Sequence, residues 1–366
     1  MKKYILIPYA NLTIGGVPTK IIDIVNTLGE MHPDIAVCVL LQHGKPSDQR
    51  SLIHNPNASV IDFSFPIPLG RRLAYILWLW WFIFRLRPVA VLAFLSPYAL
   101  PALLAKLLIF WLPFRVIVSE DHYTQTMLRR MAVPWLQQIA IRFLYPHADA
   151  IVIPTRAIKH QLGLLCRLNT HKTHIIHNWT SLTKAPTSKN KRIWDIIHIG
   201  RLVQSKHPLQ IVKIMARYIH KYPNTKCAIV GEGEEVPRIR RYLHAHRLEK
   251  RILIYPATID VSHYLFQAKI FLFLPEGQTE GFPMVLLEAM ACGTIVVTKR
   301  FHGGEEMLAN NQNAIIAPRA KITPILIHHA IINKKDIQSH ARSYVKKYCS
   351  PQNIHQYIDV LESEST

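Results

Sequence analysis

The chain has 366 residues, about half of them apolar, and its 44 Lys and Arg against 23 Asp and Glu give a formal charge of +21. That length exceeds one ordinary core and suits two domains, and dispersed Pro and Gly exclude a low-complexity or fibrous chain. The charge is +10 over residues 1–183 and +11 over 184–366, so it is not a basic tail; a diffuse positive field attracts anions of many kinds and selects none.

The five cysteines, Cys38, Cys166, Cys227, Cys292 and Cys349, are scattered without any Cys-x-x-Cys pairing. They read as reduced thiols of a cytoplasmic protein rather than a disulfide frame or a zinc site. Met1-Lys2-Lys3 leads into a mostly apolar run that ends at Pro8, too short for a signal-peptide core, so no secretion signal is expected.

Residues 4–8 read as a buried first strand. A loop over 11–18 carries Gly15-Gly16, and a helix follows over 19–28. Such a strand-loop-helix unit can bring backbone amides against a phosphate, although a glycine pair also serves plain chain reversal. Further strands are expected at 35–41 and 60–63. Residues 73–84 are uncharged and mostly large and apolar, flanked by Arg71-Arg72, Arg85 and Arg87. They fall short of the roughly 20 residues that span a bilayer. Residues 89–114 carry only Lys106, but Ser96-Pro97 and Pro101 interrupt them, which favours a strand over 89–95 and a helix over 102–111 inside a sheet protein.

The same half concentrates Trp78, Trp80, Trp81 and Trp111 with Tyr75 and Phe82 between arginines, and a second basic-apolar stretch spans 127–144 with Arg129, Arg130 and Arg142, split by Pro134. This is the composition of a surface that settles among anionic head groups, with a buried core as the alternative for residues 73–114. Peripheral attachment to an anionic membrane surface is therefore expected. A strand over 116–119 ends in Glu120-Asp121-His122, where ligand-facing loops of parallel sheets lie. A strand over 150–154, a helix over 155–165 and a strand over 174–177 complete the first half. Residues 184–191, polar and breaker-rich, read as the domain linker.

The alternation then resumes, with strands at 196–199, 227–230 and 252–255 and helices at 208–219, 236–247 and 261–268. After a strand over 270–275 comes Glu280-Gly281-Phe282-Pro283-Met284-Val285-Leu286-Leu287-Glu288-Ala289-Met290-Ala291-Cys292-Gly293. A helix is expected after Pro283 and closed by Gly293. The two carboxylates, eight residues apart, are expected about two turns apart on that one element, facing one cleft. A strand over 295–298, a short helix near 305–310, a strand over 314–317 and helices from about 321 onward end the chain. The expectation is an α/β protein of two doubly wound parallel sheets.

Gly200-Arg201-Leu202 follows a strand directly, with Lys206 five residues beyond Arg201. A guanidinium and an ammonium at a strand's carboxyl end can neutralise a diphosphate and stabilise it as a leaving group. Val230-Gly231-Glu232-Gly233 is a second glycine turn at a strand end. Each feature alone could be a solvated charge or a tight turn.

Their order resembles the GT-B glycosyltransferases of family GT4 over essentially the whole chain: a Gly-Gly loop, a His after a strand, Gly-Arg-Leu with a following Lys, Gly-x-Gly, and Glu-Gly-Phe-Pro with a second Glu eight positions on. The resemblance implies two Rossmann-like domains facing a central cleft, an acceptor-side domain over 1–185, a nucleotide-sugar domain over 186–350, and a C-terminal helix over 351–366 returning to the first. It implies donor binding by Gly15, Gly16, Gly200, Arg201, Lys206, Gly231, Glu280, Gly281, Phe282, Pro283, Met284 and Glu288. Glu280 contacts the sugar, Glu288 the ribose, and Arg201 and Lys206 the diphosphate, while His122 lies near the anomeric centre. Catalysis is assigned to His122, Glu280, Arg201 and Lys206.

No Asp-x-Asp occurs in the chain, and the reading is metal-independent, with no cofactor beyond a UDP- or GDP-sugar substrate. Retention at the anomeric carbon is implied, with Glu280 as a positioning group rather than a nucleophile. The pattern departs at His302-Gly303-Gly304-Glu305-Glu306, one residue tighter than the family's loop, and at Asn313-Ala314, where Asn-Gly is usual. The expected activity is transfer of a hexose-type sugar to a saccharide or lipid-linked acceptor in envelope polysaccharide or lipopolysaccharide synthesis, at the inner face of the cell membrane. An epimerase or phosphorylase of the same architecture is the alternative within enzymes. A basic nucleic-acid-binding protein is the alternative outside them; evenly spread charge argues against it and no nucleic-acid partner is expected.

Overall fold

Strands apolar along their whole length are buried on both faces, and the computed structural model places them in two parallel sheets. It describes residues 3–44, 48–64, 70–124, 133–182, 192–275, 280–317, 321–332 and 334–363. The chain divides into two units. One comprises everything up to His177 together with the segment from Gln352 onward; the other is Asn178–Pro351. The division precedes the expected boundary at 185/186, so Asn178-Trp179 belong to the second unit. The proposed linker at 184–191 lies outside the described residues.

Among the described residues the first unit has seven strands, β1 Lys3–Tyr9, β2 Ile35–Leu41, β3 Ala58–Asp62, β4 Ala90–Phe94, β5 Arg115–Ser119, β6 Ala150–Ile153 and β7 Thr173–Ile175, in the order 3-2-1-4-5-6-7. All neighbours are parallel. Its helices are α1 Gly16–Met31, α2 Arg71–Leu86, α3 Ser96–Leu108, α4 Pro134–Leu144 and α5 Arg156–Gly163. The second unit's strands are β8 Trp194–Ile199, β9 Cys227–Val230, β10 Ile252–Tyr255, β11 Ala268–Phe273, β12 Ile295–Lys299 and β13 Ile315–Ala317, ordered 10-9-8-11-12-13. Its helices are α6 Pro208–Lys221, α7 Val236–Ala245, α8 Ser262–Phe266, α9 Met284–Ala291, α10 Pro324–Ile332 and α11 Lys334–Tyr348. The last helix, α12 Gln352–Glu362, packs against α1, and Arg115 donates to the Val360 and Leu361 carbonyls at 3.2 and 2.9 Å. In each sheet the strand order reverses once, between β1 and β4 and between β8 and β11.

Three expected elements differ. α3 starts at Ser96, with Pro97 in the first turn where a missing N–H is harmless, and it runs on through Pro101, whose lost bond and crowding of the preceding turn are outweighed by burial of Ala99, Ala102 and Leu103 in the core. Trp111 lies beyond its end. The helix expected near 305–310 is absent; a single 3-10 turn at His302–Gly304 stands there instead. Asn313 donates to the Met307 carbonyl at 3.0 Å and accepts from the Ala309 N–H at 2.7 Å, taking the backbone groups a helix would have used. Helix α8 stops at Phe266, and Ala268 already opens β11.

The end of α9 is fastened closely. Gly293, at φ +66°, donates to the Met290 carbonyl at 3.0 Å, and Thr294 to the Ala289 carbonyl at 2.8 Å, the paired bonds of a Schellman turn. Arg192 and Gln338 donate to the Gly293 carbonyl at 2.8 and 2.7 Å, and Arg342 to that of Cys292 at 3.2 Å, so two cations meet the negative end of the helix. A Cβ on Gly293 would collide with the Arg342 guanidinium. Gly293→Ala is therefore expected to cost about 1–2 kcal/mol or more, seen as a lower denaturant midpoint by circular dichroism.

Candidate active site

In doubly wound sheets ligands bind beyond the carboxyl ends of the strands where the order reverses. In the second unit those strands are β8 and β11, which pair directly. The turn leaving β8 carries Gly200, Arg201 and, in a 3-10 turn at Gln204–Lys206, Lys206. The segment leaving β11 reaches Glu280. These two segments meet: the Lys206 ammonium is ion-paired with the Glu280 carboxylate, which is only 7% exposed, and Lys206 lies 5.9 Å above the Phe273 ring. Arg201 is exposed in the same turn.

Glu280 is not on the helix. Pro283 is extended and α9 begins at Met284, so Glu280 approaches from the loop before it and Glu288 from the helix itself, half-buried. The expectation of both acids on one helical face is corrected: the residues at Gly281-Phe282-Pro283 are not helical. Phe282 joins the core, and the buried Asn178 donates to its carbonyl at 2.9 Å. Phe282 and Pro283 can therefore offer a ligand mainly backbone. No side chain caps the first turn of α9 among the described residues, and its amides begin at half-buried Met284.

The glycines of the motifs divide by role. Gly231, at φ +153°, leaves no room for a Cβ because the Gly200 carbonyl oxygen occupies that place. Leu202 donates to the Glu232 carbonyl at 2.8 Å and Gly200 to that of Val230 at 3.0 Å. The second glycine turn thus holds the first, which carries Arg201. Gly303 likewise packs against the backbone of Glu280 and Gly281, where a Cβ would collide. This explains the loop that departs from the family pattern as a brace behind Glu280.

Sequence reasoning passed over His198. It is fully buried on β8, stacks on Phe271, and shares a 3.0 Å hydrogen bond between Nδ1 and the Leu272 carbonyl. Burial pushes its pKa down to about 4, with Lys206 adding to the effect, so it is neutral at pH 7 beside the Lys206 charge. Its only signal was its place as one of two polar residues, with Asp195, in an otherwise apolar strand.

In the first unit Gly15 and Gly16 follow β1, and His122 follows β5. Gly15 is extended at φ 169° and its carbonyl accepts from Thr19 N–H and Oγ1 at 3.1 and 3.0 Å. α1 opens at Gly16 with no side-chain cap. His122 is exposed, whereas Glu120 and Asp121 before it are buried with partners of their own. Asp121 takes Lys20 of α1 at 2.8 Å and the Ser119 hydroxyl at 2.9 Å, and Lys20 sits 4.8 Å over the Tyr357 ring of α12. This pair ties the glycine-loop helix to the turn bearing His122. Neither Lys20 nor Tyr357 stood out in the sequence. Glu120 accepts from Tyr145 and, at 3.4 Å, from Thr124.

No group of three or more His, Cys, Asp or Glu among the described residues is placed to hold a metal ion. All five cysteines are free and buried, and burial raises the thiol pKa of each.

The chain matches the model of glycosyl transferases group 1 over residues 181–347 and that of glycosyltransferase family 4 over residues 14–184. It belongs to this family of glycosyltransferases. An uncharacterised glycosyltransferase of Haemophilus influenzae is 30% identical over 135 residues, 37% of each chain. The phosphatidylinositol N-acetylglucosaminyltransferase GPI3 subunit of Saccharomyces cerevisiae is 28% identical over 189 residues, 48% of this chain and 41% of that one. The matches thus span well under half of these relatives' length. Among solved structures, Anabaena HepE in complex with UDP-glucose superposes with a TM-score of 0.78 at 17% identity, covering 97% of this chain and 98% of that one. That likeness establishes the GT-B fold.

The buried Glu120 gives the first unit a pH signature. Burial pushes its pKa up to about 8, with the Asp121 charge also raising it and the Tyr145 and Thr124 hydrogen bonds opposing. A carboxyl whose pKa is raised on folding binds its proton more tightly in the native state. Stability is then complete below the unfolded value and falls as pH rises from about 4.5 to about 8. Glu120→Gln is expected to flatten that decline in thermal melts between pH 5 and 8.

Proposed function

We propose that the chain transfers a hexose-type sugar from a UDP- or GDP-sugar to a saccharide or lipid-linked acceptor in envelope polysaccharide or lipopolysaccharide synthesis. The observation that carries this reading is the Lys206–Glu280 pair at the point where β8 and β11 end side by side, with Arg201 in the same turn. A cation and an acid held there suit the two halves of a nucleotide sugar. The ammonium suits the diphosphate and the carboxylate suits sugar hydroxyls.

Paired with each other, the two side chains neutralise their charges. A bound diphosphate competes for Lys206, and Arg201 adds a second cation, which stabilises the phosphate as it takes up charge on departure. Glu280, released from the ammonium, accepts hydrogen bonds from sugar hydroxyls, and Glu288 accepts from the ribose. His122 is assigned to the reacting centre. The reaction is read as metal-independent and retaining, with front-face attack in which the departing phosphate accepts the acceptor's proton. Glu280 positions the sugar and forms no covalent bond.

Two names among the relatives support the substrate classes: HepE is described with UDP-glucose, and the yeast relative is named for phosphatidylinositol. In this reading the enzyme works at the inner face of the cell membrane, and the positive charge of the chain, which an anionic surface attracts, supports it.

Turnover of a labelled nucleotide sugar is expected to be lost in Arg201→Ala and in Lys206→Ala. Glu288→Ala should weaken nucleotide binding in calorimetry by about tenfold or more, as for a hydrogen bond to a charged group. Native affinity in Glu288→Ala would remove that residue from the ribose site.

A further inference from the structure

Helices α2, α3 and α4 of the first unit are neighbours, with α3 touching both others. Each buries one stripe and turns another outward. α2 buries Tyr75, Leu79, Phe82 and Ile83 while it exposes Leu73, Leu77, Trp81 and Phe84. Steps of four, four and three residues put the exposed four on one continuous face. α4 buries Ile141 and exposes Trp135, Ile139 and Phe143, again at steps of four. Immediately beyond α3 stand Phe110 and Trp111, 79% and 64% exposed. Large aromatic side chains on three adjacent elements far exceed the scattered apolar residues that ordinary surfaces carry.

The charges around these stripes indicate what covers them. Residues 63–148 contain nine Lys and Arg and only two acids, Glu120 and Asp121. Both acids are buried, so no acid among the described residues of this region reaches the surface. Arg72, Arg85 and Arg142 are exposed on α2 and α4, and Arg87 just past the end of α2. A second copy docked face to face would set these guanidinium groups against their own kind with no local acid to meet them. An anionic bilayer supplies both missing partners, phosphates for the arginines and the acyl boundary for the rings. Tryptophan in particular favours that depth.

The geometry also limits how deep the contact goes. No helix among the described residues is long and apolar enough to cross a membrane. The inner side of α2 is committed to the core, so the helix can lie only along the interface, as an amphipathic helix does.

We infer that α2, the segment after α3 and the helix α4 form one membrane-docking face. It inserts Trp81, Phe84, Phe110, Trp111, Trp135 and Phe143 at the acyl boundary of an anionic bilayer and sets the flanking arginines on lipid phosphates. The inference rests on the proposed use of a membrane-borne acceptor for its purpose, while its evidence is independent of the donor site. Insertion distinguishes it from attraction of a basic protein to an anionic surface, which salt would abolish.

The test uses the full chain with vesicles of phosphatidylcholine alone and of phosphatidylcholine with phosphatidylglycerol, pelleted at low and high salt. Tryptophan emission is followed with lipids brominated on their acyl chains. Pelleting with the anionic vesicles is expected to persist in part at high salt, with quenching by the brominated lipids. In Trp81→Ser/Trp135→Ser both should fall, binding by about tenfold or more, whereas Ile259→Ser, at an exposed site of the second unit, should behave as the native chain. Circular dichroism confirms that each variant is folded.

Absence of pelleting would overturn the inference. So would pelleting that salt reverses completely without quenching, which would mean charge attraction alone, and so would a lipid-free dimer lost in the double variant, which would make the face self-associating. Calorimetry with UDP and GDP on the same preparation separates this outcome from the donor reading. Vesicle insertion without nucleotide binding would leave the face standing and remove the proposed function, and the reverse result would do the opposite.

Discussion

The ion pair between Lys206 and Glu280 is the contact on which the candidate donor site depends. It joins the segments leaving β8 and β11, whose strands pair directly. Much of the second unit's unusual backbone serves to hold those two segments. Gly231 admits the Gly200 carbonyl behind Arg201, and Gly303 packs behind Glu280. Asn178 fixes Phe282, and the Schellman turn with its two arginines and Gln338 anchors the helix carrying Glu288. Desolvating a carboxylate is costly, and replacing a buried pair by apolar side chains often stabilises a protein. Retaining the pair makes sense where both members have work to do when an anionic ligand arrives.

The first unit solves a related problem with a second buried pair. Lys20 and Asp121 are both nearly inaccessible, and the pair is roofed by Tyr357 from the last helix. Removing one partner would strand a buried charge, at roughly 3–5 kcal/mol. The network therefore holds α1, the turn before His122 and α12 as one assembly. His122 itself is exposed, while the two acids before it are buried in contacts with other groups.

What the sequence made legible follows from how local each signal is. Fully apolar runs such as Ile35–Leu41, ended by polar or breaker residues, identify buried parallel strands, and their alternation with helices identifies the sheet class. The glycine closing α9 was equally plain. Glu280 and Glu288 were read onto one helix because a constant 100° step was carried across Pro283, where the chain is extended. An interior proline such as Pro101 loses one backbone bond and crowds the preceding turn, yet the burial of its neighbours Ala99, Ala102 and Leu103 keeps α3 continuous through it. Lys20 with Asp121 and Tyr357, and His198 with Leu272 and Phe271, gave little sign for a different reason. Their partners lie far along the chain, and nothing local distinguishes a buried lysine from a solvated one.

The two units thus carry different halves of one proposed task, an acid-and-cation donor site in the second and a docking face for an anionic surface in the first. The most direct measurement for the donor half is the affinity of native, Lys206→Ala and Glu280→Ala proteins for UDP and GDP by calorimetry. If Lys206 leaves Glu280 for the diphosphate, Lys206→Ala weakens binding by about tenfold or more, while Glu280→Ala, whose ammonium is already free, binds at least as tightly as the native chain. Native affinity in Lys206→Ala, or equal weakening in both variants, would contradict the account.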